Sequence, residues 1–530
     1  MLLSQSPLFH HPQSCLRAFN LMHQALCIAE ILDQISWHTD RGSLPGLALT
    51  CRTFEGPALD ALWRNLQSLE PLVNCIPTHF WGFNFQGELM LLRPIDTKVW
   101  ATFRRYASRV HSITQSGDPS PIIEHLRILM LSYPYPSSTM FPALQSLAWN
   151  VNQTHLIIEF LRMAFVPSLV SLDLRITSIS PALMSVLSTI GTACPNLTSF
   201  RPQVDDPTWN RELAPFLTQA ICQLHHLSAL TVCELEDPGM MHVTQLQSLK
   251  TLWLYIGPSF LRRTGLLPQS LGLEHLEHLG LQAIRLNHMT DFLRSLGTVR
   301  SKHITAVFSS NAFGQQSDSI SQFCTMVLER CDNDTLEAIT LCEQFYNTFH
   351  NVYAQPSDFG PLRLLRNLTY FDVEAACTIS ISNDGLGELV KAWPKLTTFR
   401  LNCYRDPTST VLPTFHGLIN VLRLCPELVS LSLVIDTTQL DGIDIKSPGN
   451  GIGNNGLQDL VLGNSPISSP LDVALVLSSL LPNLMGVNLS PWIGGPLDAL
   501  FAKQWAMEQW KQVNRLLGGF HIVRTRFLGQ

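Results

Sequence analysis

Apolar residues recur along this chain in one short phrase, Leu-x-x-Leu-x-Leu, with polar residues set between the leucines. It stands at Leu169, Leu172 and Leu174, at Leu249, Leu252 and Leu254, and at Leu276, Leu279 and Leu281. It returns at Leu396, Phe399 and Leu401, at Leu428, Leu431 and Leu433, and at Leu484, Val487 and Leu489; Pro167, Pro394, Pro426 and Pro482 precede four of these copies. Looser copies begin at Leu126, Leu144, Leu197, Leu227, Leu336, Leu368 and Leu457, and a degenerate one, Ile304 and Val307, sits in the long gap after Leu276. The closing Leu-x-Leu alternates, so its apolar pair points to one face and the residue between them to the other, which predicts one short strand per copy. Most gaps between copies are 22 to 32 residues, enough for a strand and one return path.

The return paths read as helices. Ser180-Pro181 supplies an N-cap and a first-turn proline ahead of Leu183, Val186, Leu187 and Ile190. Leu386, Leu389, Val390 and Trp393 form a second stripe stopped by Pro394, and Phe415, Leu418, Ile419 and Leu422 a third that ends before Pro426. Ser469-Pro470 opens a fourth, which runs to Leu480 and Pro482. One such unit cannot bury its apolar side, but stacked neighbours can. Strand, helix, proline, strand resembles a leucine-rich-repeat solenoid. The fold class expected is therefore α/β: a curved parallel sheet with helices on the convex side over residues 121–496, preceded by a small helical domain. Beyond it, Leu497, Leu500, Phe501, Trp505, Met507, Trp510, Val513, Leu516 and Leu517 predict a capping helix ended by Gly518-Gly519, within a C-terminal segment 497–530. A partner-binding or membrane-surface helix is the alternative reading of this stripe.

Residues 23–68 differ from the rest. Ile28, Ile31, Leu32 and Ile35 make one helical stripe; Ser43 precedes a second with Leu44, Leu47 and Ala48, ending at Cys51; Pro57 opens a third with Leu59, Leu62, Trp63 and Leu66. Three short amphipathic helices barely hold a core alone and carry more apolar surface than they can bury. The block resembles an F-box through Ile28-x-Glu30-Ile31-Leu32-x-x-Ile35, Ser43-Leu44, Ala48-x-x-Cys51-Arg52-x-Phe54 and Leu62-Trp63-Arg64. With the repeats, the resemblance is to the F-box–leucine-rich-repeat proteins abundant in mushroom-forming fungi. Ala29 stands where that family usually has Pro, Phe54 where it has Trp, and Pro45 comes early in the second helix.

The resemblance implies a substrate-recognition adaptor of a Skp–cullin–F-box ubiquitin ligase, in which the F-box docks the Skp-family adaptor and, through it, the cullin. Adaptor contacts would fall to Ile28, Glu30, Ile31, Leu32, Ile35, Leu44, Cys51, Leu62 and Trp63. The chain would hold a protein substrate and carry no catalytic residue or cofactor of its own. Two alternatives stand beside it: a helical cap over the first repeat, and a repeat scaffold whose F-box has no ligase role.

Composition narrows the rest. Charged residues make up 14% of the 530, against about a quarter in an average domain, and hydrophobic ones 45%, so the chain folds. Residues 1–22 read as a loose tail and 69–120 as a helical or irregular connector. Net charge is −6 without a basic stripe, and the most apolar stretch, 156–174, is broken by Glu159, Arg162 and Pro167; neither nucleic acid nor a membrane is the expected partner. The 13 cysteines form no C-x-x-C pair and suit buried thiols in a reducing cytoplasmic or nuclear setting. Sequons at Asn152, Asn196, Asn333, Asn367 and Asn488 then read as accidents of composition. No hydrolase, zincin or P-loop motif occurs; Gly451-x-Gly453-x-x-Gly456 follows a loop rather than a strand, and His225-His226 and His275-x-x-His278 lack a third ligand.

Residues between the core leucines point to the concave sheet. Arg175, Arg201, Trp253, Tyr255, Tyr370, Asp372 and Arg400 are the substrate-binding candidates, with Asp173, Thr231, Gln282, Glu374 and Asn402 around them. Trp253 and Tyr255 alternate on one strand and are the best anchors, aromatics being the residues that most often carry binding energy. An overlying loop or the C-terminal helix covering both rings is the competing reading.

Overall fold

A computed structural model describes residues 28–116, 120–136, 140–150, 158–257, 272–308, 318–343, 353–373, 377–404, 411–493 and 503–528. The chain divides into two compact units, one ending at Asp205 and the other beginning at Asp206. The N-terminal tail and Glu374 lie outside the described residues.

The first unit opens with three helices, α1 (Ala29–His38), α2 (Leu44–Thr50) and α3 (Arg52–Arg64). Both α1 and α2 pack on α3, around buried Leu32, Leu44, Phe54 and Ala58. Phe54 and Ala58 lie one helical turn apart, so the buried stripe of α3 begins before Pro57. Pro57 accordingly sits inside α3 rather than opening it. Pro45 falls in the first turn of α2, where a missing N–H costs nothing. Ser43 makes no side-chain cap; its backbone N–H donates instead to Asp40 Oδ1 at 3.1 Å.

The chain leaves α3 directly into a parallel ladder: Asn65–Leu66, Ser112–Ser116, Ser146–Asn150, Ser171–Ile176 and Ser199–Val204. Leu66, Ile113, Leu147, Leu172 and Phe200 fall in register and are buried. The ladder thus starts well ahead of residue 121. Leu126, read from the pattern as the start of a copy, lies in the helix Ser120–Ser132. The copy it stood in for is Val110, Ile113 and Gln115, whose third core position is polar. Gln115 is buried there because its Oε1 accepts the N–H of Leu69 at 3.1 Å. Residues 69–111 hold the helices Glu70–Val73 and Thr97–Ala107 and an antiparallel hairpin, Trp81–Phe83 with Leu89–Leu91.

In the second unit the strands Ala229–Val232, Thr251–Ile256, His278–Ala283, His303–Phe308, Ala338–Glu343, Tyr370–Asp372, Thr398–Arg400, Ser430–Ser432 and Asp459–Val461 pair in sequence order, all parallel. The fold is α/β, a leucine-rich-repeat solenoid whose copies give one strand each through Asp459–Val461, while the last copy, at Leu484, Val487 and Leu489, forms no strand and reaches its neighbour by Asn488 N–H to Leu460 O. Strands lie about 4.8 Å apart while packed helices need about 8–10 Å, which sends the helices to the outer side of the bend within a unit. The helices follow their sequence signals: Ser180, Ser382, Thr414 and Ser469 each accept a backbone N–H at the start of a return helix. At the degenerate copy the register corrects the pattern. Ile304 aligns with Leu279, the middle leucine of its neighbour, and Val307 with Gln282 on the open face. Ser301 fills the first leucine's place, buried and donating to the carbonyls of Glu277 and His303.

Polar rungs join the turns. Asn196 Nδ2 donates to Pro167 O at 2.9 Å, Asn367 Nδ2 to Asp334 O at 3.0 Å and Asn483 Nδ2 to Asn455 O at 2.9 Å. Ser168 and Ser248 do the same with their hydroxyls, to Leu144 O and Leu227 O. The amide nitrogens of the sequon residues Asn196 and Asn367 are therefore occupied in holding repeat to repeat, and Asn488 Nδ2 is bonded to Asp459 Oδ1 at 2.7 Å.

The last helix runs Lys503–Leu528, straight through Gly518 and Gly519. Each glycine weakens a helix without ending it, and the segment beyond is tied down by Arg524. That guanidinium donates to Pro482 O and to Ser478 O, a free carbonyl at the end of the helix Pro470–Leu480. Trp510, Val513 and Leu517 are buried against the last repeat helix.

Candidate functional site

Two surfaces hold the sequence candidates. On the three-helix module, Leu32 (3% exposed) and Leu44 are interior residues, so they build the module rather than face outward. Ile28 (47%), Ile31 (36%) and Glu30 are exposed on α1, while Ile35, Cys51 and Leu62 are half-buried. Trp63 is turned inward within the unit and stacks on Tyr106, centroids 4.5 Å apart. Trp37 (56%) and Leu49 (79%) join the exposed apolar set. They escape the sequence reading because each lies off its helix's main stripe. The Arg64 guanidinium sits 5.1 Å from the Trp37 ring centroid and holds it from outside. Cys51 caps α3 with extended backbone, and the N–H of Phe54 at that helix start draws its thiol below the ordinary range. Burial pushes Cys75, Cys194, Cys233, Cys331 and Cys425 up to about 12, which makes them inert packing groups.

The open sheet face is the second surface. In the first unit it is charged and internally matched. Arg175 Nε bonds Asp205 at 2.8 Å, and Gln203 Nε2 bonds Asp173 at 3.1 Å. Arg201 is exposed beside Asp173, its register partner. Burial raises the Asp173 pKa, against the pull of Arg201 and the Gln203 bond.

In the second unit the candidates divide. Tyr370 donates to Asp372 Oδ2 at 3.2 Å; Arg400 donates to Asp459 Oδ2 at 3.1 Å and to Ser430; Ser430 and Asn488 also bond Asp459. Tyr370 and Asp372 thus bond each other and Arg400 belongs to a polar chain across the last strands, so a ligand at either place competes with bonds already made. Asn402 is buried rather than displayed, its amide bridging Ile379 O and Val434 N, because the regular strand ends at Arg400.

Trp253 and Tyr255 share one face and are both half-buried. The indole lies over Gly280, its register partner on the next strand, and meets the His278 ring edge-on at 5.7 Å. His278 Nε2 lies 3.0 Å from Thr305 Oγ1, with His303 beyond. Burial, then His303, lowers the His278 pKa; burial, then Glu234, raises that of Tyr255. The sequence places His278 only in a spaced His pair; its partner His275 is on an exposed turn. His225 pairs with the His242 ring at 5.1 Å. Among the described residues no three His, Cys, Asp or Glu side chains gather as metal ligands would, and no helix is long and apolar enough to cross a membrane. The Gly451–Gly456 motif lies in turns and leads into the strand Asp459–Val461.

No protein-family model matches the sequence, and no curated protein matches it closely enough to count as a relative. Among solved structures the chain is similar to TLR13 in its complex with ssRNA13, at 15% identity and a TM-score of 0.30, covering 73% of this chain and 48% of that one. It is also similar to a chain of the yeast Rad7–Elc1 complex, at 12% identity and a TM-score of 0.34, covering 76% and 96%. The chain therefore spans about half the length (48%) of the first of these.

Proposed function

We propose that the chain is the substrate-recognition subunit of a Skp–cullin–F-box ubiquitin ligase. The observation that carries this reading is the three-helix module: its core is complete with Leu32, Leu44, Phe54 and Ala58, yet Ile28, Ile31, Trp37 and Leu49 remain in solvent. Apolar side chains left in solvent beside a finished core are available to an interface. In this reading they dock a Skp-family adaptor, which links the cullin, and the open sheet face holds a protein substrate. Catalysis comes from the other subunits; this chain contributes proximity, raising the effective concentration of substrate beside the ubiquitin donor. No residue of the chain takes a chemical step.

Co-expression with a Skp-family adaptor tests it. Ile31→Asp together with Leu49→Asp should abolish co-purification while leaving the melting temperature unchanged. Leu32→Asp is the wrong probe, since it places a charge in the module's core. If the surface double variant co-purifies as well as the parent, or the parent does not co-purify, the ligase reading is lost.

A second reading has its own observation. The outer side of α3 is engaged within the first unit: Arg105 bonds Glu55 at 2.6 Å, Arg109 pairs with Asp60, and Trp63 stacks on Tyr106. The module then serves as the cap of the first strand, Asn65–Leu66, and the chain as a repeat scaffold that binds proteins without a ligase.

A further inference from the structure

The open face of the second unit has an uncharged half. From Ala229–Val232 through Ala338–Glu343 its central row, matched strand to strand, is Thr231, Trp253, Gly280, Thr305 and Thr340. The row before it is Ala229, Thr251, His278, His303 and Ala338, and the row after it Tyr255, Gln282, Val307 and Cys342. Not one of these positions carries a carboxylate, an ammonium or a guanidinium. Charge resumes on the next strands with Asp372 and Arg400.

Among the described residues, several of the charges beside this panel are matched or buried. Below it, Lys250, Glu277, Lys302 and Glu337 alternate in sign from strand to strand, with Lys250 Nζ 3.0 Å from Glu277 Oε1. Glu234, beside Tyr255, is buried. Arg400 is held by Asp459. A charged partner residue laid on the panel would lose its water and find no opposite charge in return, which is costly. An uncharged residue meets two half-buried aromatic rings, four threonine hydroxyls, an amide and two imidazoles. Tyr and Trp supply contact area at low entropic cost, and small polar groups supply adaptable hydrogen bonds.

We infer that this panel receives a segment of a partner protein that is uncharged where it touches: aliphatic, aromatic, amide and hydroxyl side chains, without Asp, Glu, Lys or Arg. The inference rests on the proposal that a protein partner docks on the open sheet face, and it names the class of that partner's contact segment.

The probe is a phage-displayed library of random twelve-residue peptides, selected on the full-length chain and on its Thr340→Asp and Thr340→Lys variants. Thr340 is half-buried in the panel's central row, on its last strand, so melting temperatures should stay within the parent's range. Peptides retained by the parent should be several-fold depleted in all four charged residues. Their affinity should change less than about two-fold between about 50 and about 500 mM salt, since there is no ion pair to screen. Both variants should bind them about ten-fold or more weakly, whichever sign is introduced. Enrichment of acidic or basic peptides overturns the inference, as does weakening by one sign with tightening by the other. So does a parent that retains no peptide over the variants. Adaptor co-purification from the same preparations reports separately on the ligase reading. A chain that captures adaptor but selects charged peptides loses only the present inference; one that selects uncharged peptides without adaptor loses only the ligase.

Discussion

Trp253 lies flat across Gly280, its register partner on the next strand: a Cβ built at Gly280 would fall inside the indole. Glycine in a strand gives up packing and entropy, and here it makes room for a large ring from the neighbouring repeat. Gly280→Ala should therefore cost about 1–3 kcal/mol by overpacking. The penalty should largely vanish in a Trp253→Ala background, leaving a coupling of at least about 0.5 kcal/mol in a double-mutant cycle measured by urea unfolding. Additive effects would mean that the indole does not occupy this position in solution.

Asn514 ends the array as a substitute for another strand. Its Oδ1 accepts the N–H of Val487 at 2.7 Å, and its Nδ2 donates to Val487 O at 2.8 Å. The side-chain amide satisfies both backbone groups of Val487 in the last Leu-x-x-Val-x-Leu copy, whose Asn488 reaches the neighbouring copy by its backbone N–H to Leu460 O and its side chain to Asp459. Asn514→Ala leaves two polar groups short of a partner and should cost about 1–3 kcal/mol. Amide hydrogen exchange gives the sharper reading: Val487 should lose protection while Leu460 and Val461 keep theirs. Equal exchange at Val487 in both proteins would refute the role.

Gly518 and Gly519 sit inside the last helix, and a Cβ at either position meets no atom within 4 Å. Alanine should fit both without strain and stabilise the helix by about 1 kcal/mol each. The double variant should show higher far-ultraviolet helicity and a raised midpoint for any transition that includes Trp510. A lowered midpoint would show that the helix is interrupted at the glycine pair.

What the sequence disclosed follows from how each position is constrained. Leu252, Leu279, Phe371 and Leu431 stand in one continuous core row, so each must be apolar and the phrase is visible. The strand Ser112–Ser116 is hidden because Gln115 takes a core place and is satisfied by Leu69, 46 residues earlier. Ser301 conceals its copy in the same way. On α1 the apolar stripe is legible, but composition does not say which edge turns inward: Leu32 does and Ile31 does not. Arg400 reads as a free surface cation because its partner Asp459 lies 59 residues on, beyond any local pattern. Trp253 and Tyr255 are legible as candidates since their strand tolerates any residue there. Gly280 is not, because its meaning depends on the ring across from it.

Three described histidines weaken the fold on acidification. His278, His288 and His111 each have a pKa below the ordinary 6.5, in every case chiefly because burial disfavours the charged ring. Around His278 the neighbouring groups are His303 and Thr305, with Trp253 against its edge, and none offers a carboxylate. A group whose folded pKa is depressed binds fewer protons when folded, so unfolding takes up protons and stability rises with pH. The contribution is complete above 6.5 and is lost as pH falls through the lower folded values. Carboxyls held below their ordinary range, such as Glu277 beside Lys250, remain ionised in that window and do not offset the loss. The urea midpoint should therefore fall between about pH 7.5 and about pH 5.5, and His278→Gln should flatten the slope. A midpoint constant across that range, or a slope unchanged in the variant, would show that His278 titrates as freely in the folded chain as in the unfolded one.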